Sequence, residues 1–201
     1  MRMAGLRFTC VMAVVATATS VLFAQAQAPA SPPPQGGRGT PAPLAIPNPT
    51  YVSIPMEVTV DRSAAEVWKR VGKYCDIGEW LRVNCTIVSG KDGEIGAVRS
   101  VGNEVMVGKT DLSYTYTQPV REGRPYNLYH GTLEARPVTA TTSKLIYTLV
   151  FDNSMLADDA ARQADIERRR TQFTQALQNM KILAEGGTLP PAPQRGRGSA
   201  R

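Results

Sequence analysis

The stretch "YVSIPMEVTVDRSAAEVWKRVGKYCDIGEWL", residues 51–81, holds a strand, a helix start and a helix stop in immediate succession. From Tyr51 the chain alternates. Val52, Ile54, Met56, Val58 and Val60 fall on one face, while Ser53, Glu57, Thr59 and Asp61 fall on the other. Period two predicts a strand buried on one side only, as in an antiparallel sheet. Pro55 sits on the polar side and cannot donate to a ladder, so this strand is expected to have a free edge. Next, Ser63 and Glu66 in "SAAE" have capping-box spacing, each side chain reaching the other's backbone N–H. Val67, Trp68 and Val71 continue as a helical stripe that Gly72 ends, and a second short helix is expected from about Asp76 to Leu81.

Downstream the pattern returns to strands. "NCTIVSG", "GAVRSV", "EVMV", "LSYTYTQ", "NLYHGTLEARP" and "SKLIYTLVFD" are six runs separated by turn signals, among them "KDGE" at 91–94 and "GN" at 102–103. The Gly102–Asn103 pair suits a two-residue hairpin with positive φ. From about Ala157 to Glu185 the periodicity becomes helical, with Ile166, Phe173, Leu177, Met180 and Ala184 recurring and Gly186 and Gly187 as the stop. The order is β-α-α-β6-α, an α+β fold in which a curved, seven-stranded antiparallel sheet wraps a long C-terminal helix. A helix of about 28 residues is about 40 Å long, enough to cross such a sheet. A sheet closed by one helix is expected to leave a cavity.

The ends are of a different character. Arg2 and Arg7, the apolar run "VMAVVATATSVLFA" and the small residues Ala24 and Ala26 predict a cleavable signal peptide over 1–26. The run is shorter than the roughly 20 apolar residues of a membrane span, so no stable membrane insertion is expected after cleavage. Residues 27–50 and 186–201 are rich in Pro, Gly and Arg and predict an unpacked leader and tail around one domain, 51–185. The formal charge of +6 belongs to those ends. Arg2, Arg7, Arg38, Arg195, Arg197 and Arg201 lie outside the domain, which keeps 17 basic against 17 acidic side chains. An electroneutral domain excludes a nucleic-acid binder of the usual basic-faced kind, and "RRR" at 168–170 is read as the solvated side of a helix.

The element order, together with "AAEVWKRVGKYCDIGEWL", "GEIGAVRSV", "NEVMV", "SYTYTQP" and "YNLYHGTLEARP", resembles the SRPBCC superfamily of START-like or Bet v 1-like helix-grip proteins. Within it the similarity is to the polyketide cyclase/dehydrase-like branch and spans 51–185. The resemblance implies a helix-grip fold and a cavity for a small hydrophobic or aromatic molecule. It leaves function open, because the superfamily includes lipid carriers, hormone receptors, aromatase/cyclases and oxygenase subunits. It also implies that Trp80 stands at a pocket mouth and that Arg99 and Glu104 point into the cavity. Tyr147 departs from the branch, where a Trp is common, and the two cysteines of the domain are not a general feature.

Those cysteines, Cys75 and Cys85, are expected to form a structural disulfide in an exported chain. Zinc sites use closer Cys pairs with further His or Cys ligands, and redox pairs read C-x-x-C. Strand parity places Leu145, Tyr147, Leu149 and Phe151 on the inner face, with Tyr129, Gly131, Leu133 and Ala135 beside them. His130, the chain's single histidine, therefore points outward, which argues against a Ser-His or Cys-His triad. Tyr114 and Tyr116 share one face and join Tyr129 and Tyr147 as candidate pocket phenols. With a turn at Gly102–Asn103, Val101 is expected opposite Glu104 and Arg99 diagonal to it. Trp68 is read as core between helix and sheet.

The first functional expectation is an exported, periplasmic or secreted, binder of a hydrophobic or aromatic ligand contacting Trp80, Arg99, Glu104, Tyr114, Tyr116, Tyr129 and Tyr147. The alternatives are a cyclase/dehydratase-like enzyme using Glu104, Arg99 and a tyrosine, and an envelope interaction protein without a ligand. No phosphate loop, dinucleotide fingerprint or metal signature is present, so no cofactor is expected. Both ligand readings require open space beneath the long helix; four phenols packed solidly there would remove their basis.

Overall fold

A computed structural model describes residues 48–121 and 123–191. The expected signal peptide, the leader up to residue 47 and the tail from residue 192 lie outside them. The chain runs β1 (Tyr51–Val60), α1 (Ala64–Val71), α2 (Ile77–Trp80), β2 (Ile87–Ser89), β3 (Val98–Arg99), β4 (Glu104–Thr110), β5 (Ser113–Gln118), β6 (Asn127–Pro137), β7 (Ser143–Asp152) and α3 (Asp159–Ala184). All pairings are antiparallel, in the order β1-β7-β6-β5-β4-β3-β2. This is the expected helix-grip arrangement, with Pro55 on a free edge strand.

Local chemistry explains the element ends. Ser63 Oγ accepts from the Glu66 N–H while Glu66 Oε2 accepts from the Ser63 N–H, so the capping box is complete. Asp158 caps α3 through the Ala161 N–H at 2.8 Å, and Gly186 leaves the helix at φ 87°. Cys75 and Cys85 are joined, their Cα atoms 5.4 Å apart, which brackets α2 in a covalent loop.

The core lies between the sheet's inner face and α3, which packs on β1 and β7 and touches α1 and α2. Ile54, Val60, Leu133, Leu145, Tyr147, Leu149 and Phe151 meet Phe173, Ala176, Leu177 and Met180 there. Burying each such side chain contributes about 1.5–3 kcal/mol.

Two expectations need correction. The turn at Gly102–Asn103 forms, with both residues at positive φ (63° and 52°) and the Glu104 N–H bonded to the Val101 carbonyl. The strands beyond it pair differently: Arg99 lies directly opposite Glu104, and Val98 opposite Val105. The connection is therefore the four residues 100–103 rather than two; the Ser100 N–H bonds to the Thr86 carbonyl on the β2 side, and Ser100 Oγ accepts from the Thr86 N–H. The second correction concerns "RRR". Arg168 and Arg170 are exposed, but Arg169 is 6% exposed and ion-paired with Asp165 at 2.7 Å.

Candidate ligand site

The interior is built around one guanidinium. Arg99 Nε donates to Glu104 Oε2 at 2.5 Å. Nη2 lies equally close to that oxygen but off the hydrogen-bond direction, so this second contact is an ion-pair contact and Nη2 has no directed acceptor. Nη1 donates to the Tyr74 carbonyl at 2.6 Å and, at 3.4 Å, to the Tyr114 hydroxyl. The rings of Tyr74, Tyr116 and Tyr114 surround the guanidinium carbon at 4.3, 4.7 and 5.6 Å. Glu104 Oε1 accepts from Gln118 Nε2 at 2.7 Å, and the Gln118 carbonyl oxygen accepts from the Tyr126 hydroxyl. The four-residue turn at 100–103 makes this cage possible, since it sets the two charges opposite each other.

Burial dominates the acid-base chemistry here. It pushes the Glu104 carboxyl above the usual carboxylate range, against the opposing pull of Arg99 and Gln118. For Arg99 burial works against the charge, but the surrounding phenols and Glu104 outweigh it and the guanidinium stays charged. Burial likewise holds the phenols of Tyr114, Tyr116 and Tyr147 above their ordinary range and pushes Tyr129 up to about 12. They are neutral hydrogen-bonding groups at physiological pH.

The four phenols do face inward as parity predicts, but they fill the space, so the cavity expected beneath α3 is not formed and both ligand readings lose the basis they had there. The Tyr116 and Tyr147 hydroxyls share a hydrogen bond of 2.9 Å. Tyr147 packs on Phe173 of α3 at 4.6 Å and meets Trp80 edge-on at 6.2 Å. Tyr129 stacks on Phe151 at 5.8 Å and lies 4.7 Å from Tyr126. Gly131 makes room for this: a Cβ there would stand 2.4 Å from the Tyr116 ring. Tyr116, Tyr129, Tyr147, Arg99 and Glu104 are thus core residues, each 3% exposed or less.

Open space lies elsewhere. A pocket of about 480 Å³ sits between the end of α1 and the β4–β5 hairpin. Its apolar wall is Trp68, Tyr74, Met106 and Tyr114, and its rim carries Lys69, Lys73, Lys109, Asp92 and Asp111. Two other pockets, of about 460 and 450 Å³, flank Arg82 and Pro190, and Trp80 underlies the second of these. None of the three is lined by Tyr116, Tyr129 or Tyr147.

The two tryptophans exchange their expected places. Trp80 has no exposed surface, and Asn179 Nδ2 of α3 holds its carbonyl at 2.8 Å. Trp68 is half-buried and lies over Gly72, where a Cβ would meet the indole at 2.3 Å. It tilts against Tyr114 at 5.7 Å, and Tyr74 meets the same phenol edge-on at 5.3 Å. Of the seven residues expected to touch ligand, Tyr114 alone joins this pocket wall; Arg99 lies behind it. Trp68, Tyr74 and Met106, which also line this pocket, were not among those seven; Trp68 was expected in the core. His130 is half-buried on the sheet's other face, and burial lowers its pKa below the ordinary imidazole value.

Among the described residues no group of three or more His, Cys, Asp or Glu side chains could hold a metal, and no helix is long and apolar enough to cross a membrane. Solved structures share the fold. A protein from Thermobifida fusca is 21% identical with a TM-score of 0.56, matching 69% of this chain and 97% of its own. One from Nitrosospira multiformis is also 21% identical, with a TM-score of 0.53 over 65% and 94%. The di-domain ARO/CYC BexL from the BE-7585A biosynthetic pathway is 18% identical with a TM-score of 0.52, over 67% of this chain and 46% of its own. No curated protein matches by sequence. Residues 51–185 match the family described as polyketide cyclase / dehydrase and lipid transport. The match covers the seven-stranded sheet and α3 alike, so the chain belongs to this family and, with it, to the SRPBCC superfamily.

Proposed function

We propose that this protein is an exported binder of a small apolar or aromatic molecule, held in the pocket between α1 and the β4–β5 hairpin rather than beneath α3. The observation that carries this reading is the contrast between a packed interior and a pocket of about 480 Å³ whose wall is two phenols, an indole and a thioether. A binder needs an apolar surface that stays accessible, and here the half-buried Trp68 indole provides it, backed by Tyr74, Tyr114 and Met106, each 3% exposed or less. Native mass spectrometry of the protein purified from its own host should show a co-purifying molecule. Trp68→Ala, which removes the half-buried indole of the pocket wall, should lose that molecule, while Tyr147→Phe in the core should keep it. A Trp68→Ala protein that retains its ligand would refute this placement.

Export is part of the proposal. Protein recovered from the periplasm or medium should begin at Gln27, after the Ala24-Gln25-Ala26 sequence; an intact 21.7 kDa chain there would contradict it. One observation favours a second, enzymatic reading. The Tyr114 hydroxyl bridges the pocket wall to Arg99, behind which stands a carboxyl whose pKa is raised by burial. If turnover of a bound molecule is found, Glu104→Gln should abolish it; unchanged turnover would remove Glu104 from any catalytic role.

A further inference from the structure

We infer that the pocket selects acidic ligands: a flat apolar body lies on Trp68 and Tyr114, and a carboxylate or similar anionic group meets Lys69 and Lys73. This rests on the reading that the pocket is the binding site and adds the chemical class of its occupant. Lys69 and Lys73 bracket Gly72, the residue over which the Trp68 indole folds. Two ammonium groups thus stand at the indole's end of the rim. Neither forms an ion pair within 4 Å among the described residues, whereas Arg70, between them in sequence, is held bidentately by Glu79 at 2.8 Å. The third rim lysine, Lys109, donates to the neutral Gly93 carbonyl at 2.6 Å and keeps its charge uncompensated.

The rim also carries two carboxylates, but both are exposed and belong to turns: Asp92 in the β2–β3 connection and Asp111 at the β4–β5 tip. Neither pairs with a lysine in the described residues. On the helix side Lys69 and Lys73 stand at the mouth, with the Asp76 carboxylate behind them accepting from the Lys73 backbone N–H at 2.8 Å, and the rim itself carries three ammonium groups against two carboxylates. An anion on an apolar body leaves its charge partly hydrated at the mouth and its carbon skeleton on the aromatic wall. The domain as a whole is neutral, so this attraction is a property of the pocket mouth and not of bulk charge.

The test uses two probes with the same ring system, 2-naphthoate and 2-naphthalenemethanol, titrated calorimetrically into the mature chain at low salt. The acid should bind about tenfold or more tighter than the alcohol, and 1 M salt, where the Debye length is about 3 Å, should erase the gap. Lys69→Met/Lys73→Met should bring the acid down to the alcohol's affinity, while Arg82→Met, outside this pocket, should keep the preference. Equal affinities in the unmodified protein would overturn the acidic class yet leave the site standing. If neither probe competes with the co-purified molecule, or if Trp68→Ala binds both unchanged, the site itself falls.

Discussion

Two buried arginines sit at different places in this protein, each beside a carboxylate and under aromatic rings, and they are built in different ways. Arg169 and Asp165 are four residues apart on α3, so a single helix forms their 2.7 Å contact before any tertiary structure exists. The guanidinium then presses on Phe151, Tyr126 and Tyr129 at 4.5, 4.8 and 5.3 Å. Arg99 and Glu104 lie on separate strands, and their contact needs the four-residue turn at 100–103, the Tyr74 carbonyl and Gln118 of β5. The first pair is a local device resting on the fold; the second is a product of the fold. A charge held by one helix can reorient toward solvent when its partner is lost. A charge enclosed by three elements cannot.

The strongest test of that distinction removes the acid of the enclosed pair. Glu104→Ala should destabilise by about 3–5 kcal/mol in urea unfolding, because it leaves Arg99 charged and uncompensated. Replacing both partners, Arg99→Met with Glu104→Leu, should recover much of the loss; a double variant as unstable as the single one would show that the cage needs its charges. Next comes the disulfide, which fixes the loop whose Tyr74 carbonyl accepts from Arg99. Replacing Cys75 and Cys85 by Ala should cost about 2.5–3 kcal/mol on a chain-entropy basis. The loss should appear as faster hydrogen exchange around Tyr74 and Arg99 and not around Arg169.

Asp165→Ala should cost less, roughly 1.5–2 kcal/mol, toward the lower end for a charged hydrogen bond. A loss as large as that of Glu104→Ala would erase the proposed difference between the pairs. The smallest effect belongs to His130, which touches neither arginine and serves as the reference. Its folded pKa is depressed below 6.5 by burial, so its contribution is present above the ordinary value and is lost as pH falls through the folded value. NMR titration of this lone imidazole should give a midpoint below 6.5, and His130→Gln should flatten the acid slope of stability in that window. A midpoint above 6.5 would contradict the burial argument.

The sheet, the caps and the final helix were legible because each rests on short-range periodicity or a local hydrogen bond. Parity also placed Tyr114, Tyr116, Tyr129 and Tyr147 on the correct face. It could not say whether opposing rings would touch, since that depends on sheet curvature and on how near Phe173 of α3 approaches. The tryptophans were exchanged for a related reason: α2 is four residues long, too short for a period to fix which side Trp80 presents. Arg169 was misread because a run of three arginines looks uniformly solvated. The spacing Asp165, Arg169, Phe173, Leu177 would have placed it on the buried stripe. That the turn spans four residues, 100–103, has no signal in Gly102 and Asn103, which take positive φ as expected.

Gly131 gives this fold a lever that a protein engineer could pull. The Tyr116 phenol occupies the volume that any larger residue at 131 would claim, so Gly131→Ala evicts the ring and breaks its bond to Tyr147. Pairing that change with Tyr116→Ala would exchange a fixed plug for an empty chamber beside Arg99, trading rigidity for capacity. The solid centre of this molecule thus depends on a residue without a side chain at 131, which leaves the Tyr116 ring its place.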